Sequence, residues 1–314
     1  MTSARLTELC ANGEKQLVAA PPPEPTRPLL RWHGGKWRLA PWIVRHFPAH
    51  RTYIEPFGGG GSVLLRKPRV FSELYNDLDG DVVNLFRVLR SRRAAELIHR
   101  LTLTPFARDE YLAAYEPAED EVERARRLLV RSFMGRSSNS HSLVRARGRS
   151  GFRRMSGYRS KADRNCTTPS RDWANYADAL PAIIERLRGV AIEQCDGRDL
   201  LRTRDHAGTL FYVDPPYLPS TRTTDVGYAH ELTEDAQAEL LELLDERQGF
   251  VVLSGYPSEL YDRRLAHWLR VEAASMADGA LPRTEVLWIN PRAAARLSAF
   301  GSVLAQAQLF EVRP

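Results

Sequence analysis

The chain has 314 residues and a formal net charge of +6, and its pI is near 9.4. This length allows one large domain or two modest ones, and the basic surplus favours a polyanionic partner. The three cysteines are far apart, and no apolar run reaches the roughly 18 residues of a membrane span. These features argue against a disulfide framework, a Cys-x-x-Cys zinc site and a transmembrane protein, and we expect a cytoplasmic location.

Two segments near the amino terminus differ in character. Residues 1–27 contain Pro21-Pro22-Pro23 and are predicted to form a disordered proline-rich arm. The following Arg31-Trp32-His33-Gly34-Gly35-Lys36 places an aromatic ring and an ammonium group beside two glycines, which let a backbone approach a ligand. The alternative is a glycine turn with exposed basic residues.

A glycine loop follows the first predicted strand. The strand covers 52–57, the loop is Gly58-Gly59-Gly60-Gly61-Ser62, and a helix begins near Val63, which is a nucleotide-binding arrangement in doubly wound folds. A second strand over 70–75 leads to Asp77, 17 residues after Gly60, a spacing typical of the acid that binds ribose hydroxyls. Because the loop lacks a phosphate cradle and Glu55 adds negative charge, a nucleoside with a positive group, such as S-adenosylmethionine, fits better than a dinucleotide.

The middle of the chain is predicted to be helical and then strongly basic. One predicted helix covers 81–89 and has Asp79 as its N-cap. The others cover 94–103, a short polar segment between Pro105 and Pro117, and 119–133.

Residues 131–171 hold ten arginines and one lysine but a single acid. Basic residues mixed with rings and small polar residues are typical of nucleic-acid binding. We interpret 105–189 as an inserted, mostly helical recognition module; a solvated basic loop is the alternative. The candidate contacts are Arg136, Arg145, Arg147, Arg149, Arg153, Arg154, Arg159 and Lys161.

An α/β pattern resumes at residue 190. The predicted strands cover 190–194, 210–213, 250–254, 268–273 and 285–290, and a helix capped by Thr233 covers 234–246. Asp196 or Asp199 is expected to line the ligand pocket, and 218–230 is predicted to be a flexible polar loop. The histidines show no metal-ligand spacing, so no metal site is expected.

The strand over 210–213 ends in Asp214-Pro215-Pro216-Tyr217. Proline cannot donate a ladder hydrogen bond, so the two prolines end the strand, and ligands of open α/β sheets sit beyond such strand ends. Asp214 and the Pro215 carbonyl are two acceptors, and Tyr217 is a stacking surface. This set suits a planar ring with an exocyclic amine. A strand followed by a tight turn and a surface aspartate is the alternative.

Three motifs in this order carry a resemblance to a known family. They are R-W-H-G-G-K at 31–36, E-P-F-G-G-G-G-S at 55–62 with Asp77, and D-P-P-Y at 214–217, and T-E-V-L-W-I-N at 284–290 adds a late strand motif. The chain resembles the class-α DNA adenine-N6 methyltransferases, the Dam-like family. The resemblance covers roughly residues 29–295. It implies a doubly wound α/β S-adenosylmethionine-dependent methyltransferase sheet, with a catalytic domain formed by 28–104 and 190–314 and a helical DNA-recognition insert between them.

The resemblance also implies roles for individual residues. Those expected to contact S-adenosylmethionine are Trp32, Lys36, Phe57, Gly58, Gly60, Asp77 and Asp214. Those expected to hold and methylate a flipped-out adenine of duplex DNA at N6 are Asp214, Pro215, Pro216 and Tyr217. Double-stranded DNA is the implied partner, and a cognate restriction endonuclease acting separately is left open. The insert matches no pattern, so the recognised DNA sequence is not implied.

Three other interpretations stay open from the sequence. The acceptor could be cytosine N4 or an adenine in RNA, because related motifs serve these groups. The chain could be a non-catalytic DNA-binding relative, although the presence of Lys36, Asp77 and Asp214 argues against decay. A nicotinamide-dependent enzyme is disfavoured by the absence of a phosphate loop and by the basic insert.

Overall fold

The computed structural model describes residues 23–142, 151–153, 168–218, 231–276 and 282–299. The α-helices in these ranges are α1 (Ala40–Val44), α2 (Ser62–Arg66), α3 (Gly80–Leu89), α4 (Ala94–Leu103), α5 (Arg108–Ala113), α6 (Glu121–Met134), α7 (Pro169–Ala174), α8 (Leu180–Leu187), α9 (Gly197–Thr203), α10 (Glu234–Asp245), α11 (Glu259–Arg264) and α12 (291–299). The strands are β1 (Thr52–Glu55), β2 (Ser72–Asn76), β3 (Val190–Glu193), β4 (Thr209–Val213), β5 (Phe250–Gly255), β6 (Leu269–Met276) and β7 (Pro282–Ile289). The predicted arm lies mostly outside the described residues.

The strands form one seven-stranded sheet in the order β3-β2-β1-β4-β5-β7-β6. The first five of these strands run parallel, and β7 is antiparallel to both β5 and β6. The strand order reverses between β1 and β4, and in open α/β sheets ligands bind outside the carboxyl ends of the strands at such a point. The predicted doubly wound α/β fold is confirmed. The topology directs attention to the residues that follow β1 and β4.

Alternating side chains divide the core into two layers, one on each face of the sheet. On one face, Tyr53 and Tyr212 pack with α1 to α4 and α6 to α8. On the other face, Phe211 and Val213 pack with α9, α10 and α11. The central strand β4 is buried at every position, as a parallel strand covered on both faces requires. Residues at even and odd positions of the same strand therefore face different helical layers.

Capping residues explain several helix boundaries. Asp79 accepts hydrogen bonds from the backbone N–H groups of Asp81 and Val82, and it begins α3 as predicted. Thr233 accepts from the N–H of Ala236 and begins α10, also as predicted. Helix α4 has the predicted bounds. None of the helices in the described ranges combines the length and hydropathy that a bilayer span needs.

The helices between β2 and β3 share the core of the sheet. Leu128, Phe133 and Tyr176 belong to the same buried cluster as Tyr53 and Leu210. Helix α6 begins after the N-cap Asp120 and packs on α3. The described part of 105–189 thus joins the sheet through a continuous apolar contact. Its interpretation as a separate recognition module stays a prediction.

Candidate functional site

A cavity of about 300 Å³ opens beyond the carboxyl ends of β1 and β4. Its wall combines the R-W-H-G-G-K segment, the glycine loop after β1, the turn after β2 and the residue that follows β4. The lining residues that matter for the site are Trp32, Lys36, Glu55, Phe57, Gly58, Gly59, Asp77, His141, Asp196, Asp214 and Pro216. Three motifs that are distant in the sequence thus meet at the topological switch point.

The glycine loop brings bare backbone to the cavity. Gly59 has a φ of +49°, and a Cβ at this position would lie 2.4 Å from Trp32 Nε1. The Gly59 N–H donates to Asp77 Oδ2 over 2.7 Å, and the Asp79 N–H donates to Asp77 Oδ1 over 2.8 Å. The carboxylate that follows β2 is therefore fixed against the loop. A glycine at residue 59 is required both by its left-handed backbone and by the close indole ring.

Glu55, at the end of β1, is buried under the cavity. Its Oε2 accepts hydrogen bonds from Tyr53 Oη over 3.0 Å and from the Leu64 N–H over 3.2 Å. Burial raises the pKa of Glu55 to about 8, and the nearby Asp214 carboxylate acts in the same direction. The full negative charge expected here from the sequence is thus only partly developed at pH 7. A positively charged ligand in the cavity would favour the ionised form.

Trp32 is held in the cavity wall from two directions. Its ring stacks on His141, with centroids 3.8 Å apart and an interplanar angle of 23°. The preceding residue, Arg31, exchanges two hydrogen bonds with Ser132 Oγ and donates from its guanidinium to the Gly135 carbonyl. The end of α6 and the turn after it therefore fix the R-W-H-G-G-K segment. His141, for which no role is predicted from the sequence, belongs to the cavity wall.

Asp214 is oriented by two side chains. Ser254 Oγ donates to Asp214 Oδ1 over 2.9 Å, and Lys36 Nζ lies 3.0 Å from Asp214 Oδ2. Ser254 belongs to β5, whose pairing with β4 aligns Val213 with Leu253 and so sets residue 214 beside residue 254. A hydroxyl donor and an ammonium group both stabilise negative charge on a carboxylate. Asp214 thus presents an anionic acceptor at the cavity.

Tyr217 completes the group around Lys36. The lysine Nζ lies 4.7 Å from the centroid of the Tyr217 ring, and the Tyr217 hydroxyl donates to Glu285 Oε1. The same Glu285 oxygen is 3.5 Å from Lys36 Nζ. The Tyr256 and Tyr217 rings pack in a T-shaped arrangement with a centroid distance of 4.7 Å. One ammonium group therefore connects Asp214, Tyr217 and Glu285.

Most residues proposed from the sequence for this site lie together. Trp32, Lys36, Phe57, Gly58, Asp77, Asp214 and Pro216 line the cavity. Gly60 and Pro215 are not among the lining residues, and a Cβ at Gly60 would face Trp32 Cβ at 3.2 Å. Tyr217 lies beside the cavity, under Lys36. Asp196 and Asp199 are the two candidates that follow β3. Of these, Asp196 lines the cavity, and its side chain also caps α9.

Few of the proposed DNA contacts fall in the described part of the chain. Arg136 is exposed, and the Arg153 guanidinium lies 3.9 Å from Asp172. Arg145, Arg147, Arg149, Arg154, Arg159 and Lys161 lie outside the described residues, as does most of the predicted loop at 218–230. Arg131, the first arginine of the basic segment, is buried and pairs with Asp81 at 2.9 Å. Arg131 therefore supports the fold, and a role in tracking phosphates does not apply to it.

Three residues of the site were not predicted from the sequence, namely His141, Ser254 and Glu285. The sequence predicts Ser254 as the end of an apolar strand and Glu285 as part of a strand motif without a role of its own. A signal existed for Ser254, which is a polar residue at the end of an otherwise apolar strand. Glu285 gave no such signal, because it follows Arg283 and Thr284 in β7, and β7 runs antiparallel to β5. The described residues contain no group of three or more His, Cys, Asp or Glu side chains suited to a metal ion.

Comparisons with known proteins agree on one family. A family model described as D12 class N6 adenine-specific DNA methyltransferase matches residues 32–275. The chain is 26% identical over 245 residues to the DNA adenine methylase of Vibrio cholerae serotype O1, covering 76% of this chain and 84% of that protein. It is 25% identical over 269 residues to the DNA adenine methylase of Escherichia coli (strain K12), covering 81% and 90%. It is 27% identical over 271 residues to the DNA N-6-adenine-methyltransferase of Escherichia phage P1, covering 79% of this chain and 32% of that protein.

Proposed function

The chain belongs to the D12 class N6 adenine-specific DNA methyltransferases, and we propose that it uses S-adenosylmethionine to methylate N6 of an adenine flipped out of duplex DNA. The observation that carries this proposal is the placement of Asp214. Its carboxylate lies at the end of β4, held by Ser254 and Lys36, and it borders the cavity formed by the glycine loop. An oriented anionic acceptor beside a nucleoside-sized cavity is what transfer to an exocyclic amine requires.

The cavity residues fit S-adenosylmethionine. Trp32 offers an aromatic surface, the Asp77 carboxylate suits ribose hydroxyls, and the backbone at Gly58 and Gly59 can approach a ligand closely. Glu55 supplies a carboxyl group that a cationic ligand would ionise. We assign Phe57 and Lys36 to the same binding wall. When bound, S-adenosylmethionine supplies an electrophilic methyl group.

Asp214 and the Pro215 carbonyl perform the acceptor chemistry. Both accept hydrogen bonds from the target amino group, which directs the nitrogen lone pair away from the ring plane and towards the cavity. Positive charge that develops on the nitrogen is stabilised by the Asp214 carboxylate. Ser254 orients this carboxylate and so helps to align the reacting groups. We attribute a large share of the rate enhancement to that alignment. The mechanism needs no covalent bond to the protein.

An adenine amine inside a duplex is inaccessible, so the base must leave the stack. Pro216 lines the cavity and Tyr217 lies beside it under Lys36. We assign Tyr217 as the surface on which the flipped base stacks. Recognition of the surrounding DNA is assigned to 105–189, with Arg136 and Arg153 as its described candidates. A separately acting restriction endonuclease and a cytoplasmic location stay predictions.

The decisive experiment is methyl transfer from labelled S-adenosylmethionine to unmethylated duplex DNA, followed by nucleoside digestion. Labelled N6-methyladenine is expected. Labelled N4-methylcytosine would overturn the base assignment, and label in RNA alone would overturn the substrate. Asp214→Ala is expected to abolish turnover and to leave DNA binding within about twofold, because the carboxylate acts on the reacting amine. Normal turnover combined with weakened DNA binding would contradict this role.

A further inference from the structure

Glu285 is a buried carboxyl group that the proposed chemistry leaves without a role. It is 3% exposed and lies in β7, directly beyond the Gly255–Val286 pair that joins β7 to β5. By strand alternation it shares a face with Leu287 and Ile289, both members of the buried cluster around β4. A carboxyl group in such surroundings is costly unless it has partners, and burial raises its pKa. Its partners therefore indicate why it is there.

Both of its described partners belong to the active site. One oxygen, Oε1, accepts the hydrogen bond from the Tyr217 hydroxyl and lies 3.5 Å from Lys36 Nζ. Lys36 in turn lies 3.0 Å from Asp214 Oδ2 and 4.7 Å from the centroid of the Tyr217 ring. The lysine ammonium also donates to the Gly34 carbonyl over 2.7 Å, and its ion pairing is divided between the two carboxylates. The tyrosine ring is anchored at its hydroxyl end.

We propose that Glu285 is a positioning residue for methyl transfer, which fixes Tyr217 and Lys36 through a single carboxylate oxygen. Fixing the Tyr217 hydroxyl sets the plane of the ring against which the target base stacks. Sharing the lysine ammonium limits its hold on the Asp214 carboxylate, to which we assign the hydrogen bond from the target amine. The inference rests on the proposed function, since it assigns a role within that reaction.

The kinetic test compares Glu285→Gln with Glu272→Gln. Glu272 lies on the neighbouring strand β6 opposite Val286, and its side chain is exposed, so it is a matched control. Glu285→Gln keeps the shape of the side chain and removes its charge. We expect kcat to fall about ten- to hundredfold with KM for DNA and the Kd of S-adenosylmethionine within about twofold, while Glu272→Gln matches the wild type. An unchanged kcat in a folded Glu285→Gln variant would overturn the proposal.

A double variant tests whether Glu285 acts through the tyrosine. Tyr217→Phe removes the hydroxyl and keeps the ring. Because the two residues share one contact, Glu285→Gln combined with Tyr217→Phe is expected to lower kcat no further than the stronger single variant. Losses that multiply would show independent action and overturn the proposed route.

A measurement without turnover separates this inference from the proposed function. In protein labelled with ¹³C at tyrosine Cζ, the Tyr217 signal is identified by its loss in Tyr217→Phe. It is expected to shift in Glu285→Gln and to keep its position in Glu272→Gln. An unshifted signal would show that the contact is absent in solution and would overturn the inference. Wild-type protein that fails to label DNA would overturn the proposed function, while the NMR comparison still reports on the contact.

Discussion

Replacing Glu55 with glutamine should change how the stability of the protein depends on pH. The folded protein holds this carboxyl with a pKa of about 8, against 4.5 for an exposed carboxyl. Between these values the folded state binds a proton that the unfolded state has lost, so stability decreases as pH rises. The contribution is fully present below pH 4.5, and it is lost as pH approaches 8. Each pH unit in this window corresponds to about 1.4 kcal/mol, or about 5 kcal/mol over the whole range as an upper limit.

Glu55→Gln mimics the protonated form at every pH. The free energy of unfolding of the variant, minus that of the wild type, should therefore increase by about 1.4 kcal/mol per pH unit between pH 5 and 8 and then level off. Urea denaturation at several pH values measures this difference, which cancels the contributions of titrating groups that do not interact with Glu55. If the glutamine amide destabilises the variant by the same amount at every pH, the plot of this difference against pH shifts without a change in slope. A difference that stays flat from pH 5 to 8 would refute the burial argument.

The same group should couple ligand binding to proton release. A sulfonium ion in the cavity favours ionised Glu55, so binding of S-adenosylmethionine at pH 7 should release a fraction of a proton. Calorimetry in buffers with different ionisation enthalpies measures that release. The neutral thioether product should release less, and Glu55→Gln should abolish the difference between the two ligands. Equal release by both ligands in the wild type would show that the ligand charge does not act on Glu55.

Two further substitutions test the loop and the core. Gly59→Ala places a Cβ 2.4 Å from Trp32 Nε1, so S-adenosylmethionine should bind at least about tenfold more weakly by calorimetry. Gly189→Ala is the control, because its φ of +86° strains the backbone without a close neighbour; equal binding losses in both variants would contradict the proposed contact. Glu73→Gln removes the carboxylate that pairs with Arg186 at 2.7 Å and with a buried lysine. It should cost about 3–5 kcal/mol by urea denaturation, and a loss below about 1 kcal/mol would show that the buried cations find other partners.

The sequence predicted the elements of the sheet better than it predicted their ends. Glycines and prolines mark where β1 and β4 stop, so the residues beyond these strands could be assigned. The strands β6 and β7 are longer than predicted, since their antiparallel pairing continues to Met276 and Pro282. Polar residues such as Ser275 and Arg283 take part in that pairing. Tertiary pairing extends a strand where the local pattern of apolar residues ends.

The difference between local sequence patterns and tertiary pairing also explains which site residues could be predicted from the sequence. The glycine loop and Asp214 stand at strand ends within compact motifs, so their chemistry is visible in a short stretch of sequence. Ser254 reaches Asp214 through the register of β4 with β5, and Glu285 reaches Tyr217 through the antiparallel return of β7. His141 reaches Trp32 from the turn after α6. These contacts depend on where distant segments lie, which spacing along the chain does not reveal.

The charge balance of the site depends both on residues within the motifs and on residues that only the fold brings to the site. Glu55, Asp214 and Glu285 place three carboxyl groups on one face of the sheet, and Lys36 pairs directly with two of them. Burial raises the pKa of Glu55 and of Glu285, which is the expected response where negative charge exceeds positive charge in a poorly solvated region. A cationic ligand beside Glu55 would relieve this excess, whereas an anionic ligand such as a pyrophosphate would increase it. The proposed preference for a sulfonium nucleoside would therefore arise from the whole carboxyl cluster, including residues that the motifs alone do not identify.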